Sequence, residues 1–308
     1  MKRCGRFAAV VRLSMLHCVA LACFSCAPTR ETLPAPCHTA VKVMSFNIRY
    51  GTADDGPNQW QNRRSILLDL LREARPDVLG LQEALLFQID EIQAELAGYT
   101  RIGVGRDDGD SKGEFSCVLY RTARFTSQEG GTFWFSDTPE TPGSITWGND
   151  CTRICSWARL TDRQSGASFY VYNLHLDHKS QPSREKSVAF LAARIRARAK
   201  PHAPVVVTGD FNAQPDNPAM RYLLGHAPLP GATEPPPLVD ALLGVSGEQA
   251  NAGTFHGFTG KADAGRIDYI LVSPQIAVRQ AEVVTTSRNG TYPSDHFPVA
   301  AVVCLSAP

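Results

Sequence analysis

The chain has no internal repeat, no low-complexity tract and no linker-like stretch that would divide it. Repeat arrays and multi-module architectures are therefore excluded, and 308 residues with 43% hydrophobic content suit one large domain. An excess of positive charge is also missing. Residues 1–22 carry four bases and no acid, and without them 27 Lys+Arg face 30 Asp+Glu, a formal −3. Proteins that hold nucleic acid through many phosphates are usually basic, so bulk non-specific binding is not favoured, although a local basic cleft is compatible with an acidic average. Cys151-x-x-x-Cys155 lacks the spacing and partner pair of a zinc site and reads as ordinary buried or turn thiols. Gly105-Arg106-Asp107-Asp108-Gly109 lacks a phosphate-cradling pattern and reads as a flexible loop.

Acids are absent from the chain before Glu31. Lys2, Arg3, Arg6 and Arg12 precede a mostly apolar stretch from Leu13 to Cys26, too short to span a bilayer comfortably. This is a secretory signal pattern. Ala20-Leu21-Ala22-Cys23 approximates a bacterial lipobox, with Ala20 where Leu is usual and Cys26 as a poorer second candidate. No good A-x-A cleavage site precedes Pro28. Residues 1–22 are thus expected to be a lipoprotein-type signal peptide, 23–40 a tether from lipidated Cys23, and 41–305 the domain. The expected product is an exported monomer, lipid-anchored to a bacterial membrane and facing the periplasm or exterior.

What is present is a series of short apolar runs bounded by turn residues, the mark of buried strands. KVMSFN (42–47), DVLGLQE (77–83), SFYVYNLH (168–175), PVVVTGDFN (204–212) and RIDYILV (266–272) are five, and SDHFPVAAVV (294–303) reads in reverse. Strand-like EFSCVLYR (114–121), TFWFS (132–136) and RICSWARLT (153–161), and a run at 278–286, complete the set. Helical spacing appears in 62–76, in 85–99, and from Ser183, a candidate N-cap, to before Pro201. Two similar halves of mixed sheet with helices outside predict an α/β fold, a four-layer α/β/β/α sandwich.

Polar residues crowd the ends of those runs: Asn47, Glu83, Asn173, His175, Asp210, Asn212, Asp268, Asp295 and His296. Unpartnered buried carboxylates and imidazoles cost several kcal/mol, so six strands ending this way predict one polar, metal-binding cleft. Individually each has a plainer explanation. Glu83 alone is better read as a helix-capping acid, Asp210–Asn212 as an Asx-turn, His175 as a satisfied core residue and Asp268 as the partner of Arg266. Arg153, starting a strand, needs an anionic partner, and Arg153 and Arg184 are candidate phosphate contacts. Trp60 and Trp147 are candidate ring-stacking residues.

Taken in order, SFNIRY, LQE, GEFSCVLYR, RICSWARL, NLHLDH, GDFN, TFHGF, RIDYI and SDHFPV resemble the endonuclease/exonuclease/phosphatase superfamily, deoxyribonuclease I-like proteins, from about Val41 to Val303. The nearest branch is that of exported bacterial members close to the deadenylases. The resemblance implies the four-layer fold and an Mg²⁺-dependent phosphoesterase, with Mn²⁺ as alternative, in which water attacks a phosphodiester or phosphomonoester in line. It implies Glu83 as principal metal ligand with Asn47 beside it and Asp295 assisting. It implies Asp210 as the group that positions or deprotonates water, Asn212 as a transition-state stabiliser, and Asn173 in the phosphate site. Glu114 is expected to hold His175, and Asp268 to hold His296; whether Asp210 or His296 is the base stays open. Nuclease, phospholipid or sphingomyelin phosphodiesterase and sugar-phosphate phosphatase activities are all compatible, as is an inactive binding lipoprotein on the same scaffold.

The same resemblance places the first and last strands side by side. Antiparallel pairing would bring Cys37 near Cys304, close enough for a disulfide, and parallel pairing would forbid the bond.

Overall fold

A computed structural model describes Met1 and residues 37–235, 237–244, 252–263 and 265–305. The expectations for the signal peptide and Cys23 lie outside these residues. Strand β1 starts at Thr39.

The described residues form twelve strands and four α-helices: β1 (Thr39–Asn47), α1 (Trp60–Ala74), β2 (Val78–Gln82), α2 (Leu86–Glu95), β3 (Tyr99–Ile102), β4 (Val118–Arg121), β5 (Phe125–Trp134), β6 (Ile154–Asp162), β7 (Ser168–His175), α3 (Gln181–Arg196), β8 (Val205–Asp210), α4 (Pro218–Leu223), β9 (Val239–Asp240), β10 (Asp268–Val272), β11 (Ala277–Val283) and β12 (Val299–Leu305). They form two mixed six-stranded sheets, ordered β11-β12-β1-β2-β4-β3 and β5-β6-β7-β8-β10-β9. The N-cap of α3 is Ser180, not Ser183: the Ser180 hydroxyl accepts the Ser183 amide at 3.2 Å, and Pro182 occupies the first turn.

Strand alternation builds the four layers. Val41, Val43, Val78, Val118, Val171, Val206, Ile270 and Val299 point between the sheets, while Met44, Phe46, Leu79 and Leu81 pack outward under α1 and α2. Tyr172, Leu174, Val205 and Val207 pack outward under α3 and α4. The inner faces then change character along each strand. Val43 gives way to Ser45 and Asn47, Val171 to Asn173 and His175, and Val206 to Thr208 and Asp210. One end of the intersheet layer is therefore polar. At that end the sheets nearly touch: a Cβ on Gly80 would meet Thr208 Oγ1 at 2.3 Å and Asn173 Oδ1 at 2.5 Å, so only glycine fits.

Asn173 joins the sheets there. Its amide nitrogen donates to the Leu81 and Cys117 carbonyls at 2.8 and 2.9 Å, and its oxygen accepts Gln82 at 2.6 Å and Thr208 at 2.9 Å. With every polar position filled and no exposure, Asn173 is a rivet between sheets, not the phosphate contact expected for it.

Antiparallel pairing of β1 with β12 sets Ala40 opposite Cys304. Cys37 and Cys304 are disulfide-bonded, with Cα atoms 5.4 Å apart. Among the described residues Cys117, Cys151 and Cys155 are free, the first and last of them buried.

Candidate active site

The parallel pairs β1–β2 and β7–β8 end side by side, and β10 begins there, with Asp268 opposite Asp210 in the ladder. Residues far apart in sequence thus meet without any irregular excursion of the chain. Two local devices complete the arrangement. Strand alternation would send Glu83 outward with Leu79 and Leu81, but a left-handed backbone (φ 56°) at Glu83 turns it into the cleft. Asn212 likewise adopts φ 47°, with its amide N–H donating to Asp210 Oδ1 at 2.9 Å.

Asn47 is central. Its amide nitrogen donates to Glu83 Oε1 at 3.0 Å and to Asp210 Oδ2 at 2.9 Å, and stands 3.5 Å from His296 Nε2. Its oxygen accepts the Arg49 amide at 3.0 Å. The Tyr50 amide donates to the other Glu83 oxygen at 3.2 Å. On the far side Asp268 Oδ2 and His296 Nδ1 lie 2.8 Å apart, and His296 Nε2 is 3.9 Å from Asp210 Oδ2. His175 Nε2 reaches Asp210 Oδ2 at 3.4 Å and Asn212 Nδ2 at 3.0 Å.

Burial sets the proton affinities. It raises the Asp210 carboxyl to about 7, with the charge of Asp268 adding to it and His296, the Asn212 amide and Asn47 opposing. Burial also raises Asp295. His175 is held well below its ordinary value, first by burial and then by the charges of Arg153 and Arg106. For His296 burial works against the charged form, but Asp268, Asp295 and Asp210 together outweigh it and the imidazolium is strongly favoured.

This donor set fits a hard divalent cation. The ligating atoms of Glu83, His175 and Asp210 lie within 4.8 Å of one another, as do those of Asp210, Asp268 and His296. Carboxylates crowded at low exposure, with only the Asn47 amide between Glu83 and Asp210, are what such an ion neutralises. Asp295 enters neither set: it accepts the Ser294 hydroxyl at 3.2 Å and lies 3.9 Å from Arg49 Nε. Asn47 turns its nitrogen, not its oxygen, toward the carboxylates, so an ion ligand at Asn47 requires the amide reversed.

The expected Asp268–His296 dyad is formed; the expected Glu114–His175 pair is not. Glu114 is forked by Arg106 through two bonds of 2.8 Å, and His175 Nδ1 has no hydrogen-bond partner among the described residues. The loop 105–109 that reads as flexible is instead braced to the residues after it, since Asp108 Oδ1 accepts the amides of Asp110 and Lys112. Asn212 orients His175 in place of standing free for a transition state: its amide nitrogen donates to the Leu176 carbonyl at 3.0 Å besides meeting the imidazole. Arg153 is buried with its anionic partner, Asp177, 3.7 Å away, and contacts His178 Nδ1 at 2.9 Å. Arg184 donates to Gln181 and to the Asp177 carbonyl, so its guanidinium serves the start of α3 and no phosphate site. Trp60 is buried against Glu91, and Trp147 donates to Asp137, which removes Trp60 as a substrate platform. Arg106 and Gln88 carry no signal in sequence, because a charged loop residue and a polar helix residue look solvent-facing.

A fold of two helix-flanked mixed sheets with this constellation at their shared edge defines a deoxyribonuclease I-like protein. A profile of the endonuclease/exonuclease/phosphatase family matches residues 44–296, and the chain belongs to that family, whose members are phosphoester hydrolases. It is similar to an endonuclease/exonuclease/phosphatase of Bacteroides vulgatus (31% identity, TM-score 0.79), covering 87% of this chain and 100% of that one. It is also similar to the mannosyl-6-phosphatase of Bacteroides thetaiotaomicron (32%, TM-score 0.76, 86% and 100% covered). The human Nocturnin catalytic domain shares the fold at 19% identity and TM-score 0.69, with 87% and 95% covered.

Proposed function

We propose that this protein is a divalent-cation-dependent phosphoester hydrolase whose substrate is a sugar phosphomonoester. The observation that carries the reaction class is the unbroken line of contacts Glu83–Asn47–Asp210–His296–Asp268, each step between 2.8 and 3.9 Å. The similarity to a mannosyl-6-phosphatase along its whole length supports the substrate class. The formal −3 of residues 23–308 favours it over nucleic acid.

Asp210, raised to about 7, is the base: it holds its proton loosely at neutral pH and can accept one from water. His296 is the poorer base because its imidazolium is already favoured; held by Asp268, it offers Nε2–H to the phosphoryl oxygen and stabilises charge there. Asn47 keeps Glu83 and Asp210 apart and oriented. Mg²⁺ or Mn²⁺ held by Glu83 would supply Lewis-acid neutralisation of the phosphoryl oxygens.

The test is a panel of mannose 6-phosphate, bis-p-nitrophenyl phosphate, single- and double-stranded DNA, RNA and sphingomyelin with each cation. Phosphate release from the sugar ester is expected. Turnover of nucleic acid or sphingomyelin alone would overturn the substrate class, and inactivity on all of them would favour a binding lipoprotein. Export with a lipid on Cys23, as a monomer, belongs to the same proposal; the Cys37–Cys304 disulfide supports an oxidising compartment. Loss of lipid labelling in Cys23→Ser is the expected result, and labelling lost only on adding Cys26→Ser would move the anchor.

A further inference from the structure

Arg63 lies in α1 and touches none of the groups assigned to the reaction, yet it is completely buried. Buried arginines ordinarily face a carboxylate. Four hydrogen bonds of Arg63 go to main-chain carbonyls. Nε donates to Asn58 O at 3.0 Å, Nη1 to Ile48 O at 2.6 Å and Pro293 O at 2.9 Å, and Nη2 to Arg49 O at 2.9 Å. The guanidinium lies over the Trp60 ring at 5.1 Å and the Phe258 ring at 5.9 Å.

Those carbonyls belong to the two loops on which the site depends. Ile48 and Arg49 directly follow Asn47, and the next residue, Tyr50, donates its amide to Glu83. Pro293 directly precedes Ser294-Asp295-His296, and the Ser294 hydroxyl donates to the Asn47 carbonyl at 2.7 Å. Gln88 grips the first loop from the other side, donating to Arg49 O at 3.1 Å and accepting the Gly51 amide at 2.8 Å. Arg49 itself holds a left-handed φ of 56°, a conformation that persists only where neighbours over-determine it.

We infer that Arg63 is a positioning residue that locks the loop 48–51 and the loop 293–296 in one register, so that Asn47 and Glu83 face Asp210 and His296. The planar fork matters as much as the charge. Its donors lie in fixed directions and reach both loops at once, which an ammonium cannot do. The charge contributes separately. Burial lowers Arg63 to about 10, so it stays cationic at neutral pH and offsets the nearby Asp295, Asp55 and Glu83.

The positional part of this inference is independent of catalysis, whereas its effect on turnover rests on the phosphoesterase reading. Hydrogen–deuterium exchange on the full chain therefore comes first, comparing wild type with Arg63→Lys. Faster exchange of both loops, with β1, β7 and β8 unchanged, is expected. Acceleration of one loop, of neither, or of the whole sheet overturns the inference.

Mn²⁺ titration calorimetry and kinetics then follow. Arg63→Lys should lose about ten- to a hundredfold in Mn²⁺ affinity and kcat with KM nearly unchanged, as for other residues that orient ligands from behind. Dilute guanidinium should restore much of the loss in Arg63→Ala by filling the space left beside Trp60 and Phe258. Wild-type kcat and Mn²⁺ affinity in Arg63→Lys would overturn the requirement for the fork. A wild type without Mn²⁺ binding or turnover would refute the phosphoesterase reading alone, and the exchange result would still decide Arg63.

Discussion

Asp210 contacts Asn47, His175, His296 and Asn212, and its properties give the sharpest predictions. Asp210→Asn and His296→Ala should each lower kcat by several orders of magnitude, because both belong to the reacting unit. Asp268→Asn should cost less, since it removes only the anion that holds Nδ1, and Glu114→Gln least, because Glu114 is held by Arg106 away from His175. A Glu114→Gln defect equal to that of His296→Ala would refute this ranking. The raised carboxyl also has a stability signature. A carboxylic acid whose folded value lies above its unfolded value binds its proton more tightly when folded, so it costs stability as pH rises. For Asp210 the window runs from about 3.8 to about 7. Melting in excess chelator should show Asp210→Asn gaining on wild type across that interval and holding the gain above it. Added Mn²⁺ should shrink the difference by stabilising the wild-type carboxylate.

At the scale of elements, the rivet through Asn173 predicts a stability defect in place of a binding defect. Asn173→Ala would leave Leu81 O, Cys117 O, Gln82 Nε2 and Thr208 Oγ1 without that partner between the sheets. Each unmade buried bond costs roughly 1–3 kcal/mol, so a total loss of about 3 kcal/mol or more is expected, with KM unchanged in the folded fraction. A raised KM at unchanged melting temperature would instead return Asn173 to the substrate. The long apolar runs were legible as strands because their periodicity extends over five or more residues. β3 has four half-buried residues, β9 two and α4 six, too few for a period to emerge. The first part of β5, Thr126–Gly131, is polar and glycine-rich, and it is a strand only because β6 pairs with it through a bulge near Ser127.

Among the described residues the ends of the fold are tied by one covalent link, Cys37–Cys304, across a sequence separation of 267 residues. Chain-entropy arguments put the stabilisation from so long a loop at an upper figure on the order of 5 kcal/mol. The double variant Cys37→Ser/Cys304→Ser should lose about 2–5 kcal/mol in chemical denaturation, and reductant should lower the wild type to the same midpoint. Activity at moderate temperature should survive, because the link lies at the start of β1 while the site forms at its other end. A reductant-insensitive midpoint would show that the link adds nothing.

The sequence by itself determined the layered fold and the residues of the polar edge, because strand parity and run length are local properties written in consecutive side chains. The family resemblance in its motifs also paired Asp268 with His296, where the residues alone left Arg266 as another partner for Asp268. Only the tertiary structure decided which polar residues face one another and which hold the scaffold. Asn173 and Asn47 are both amides near strand ends, but one sits where two sheets touch and the other between two carboxylates. Glu114 meets Arg106 and not His175, Glu83 turns inward through a left-handed backbone, and Arg63 binds two loops, one of them 230 residues away from it in sequence. The physical reason is that hydrogen bonds are directional and short-ranged. Composition and spacing can bring the right groups to one edge of the sandwich, and only the packed backbone sets which of them come within 3 Å.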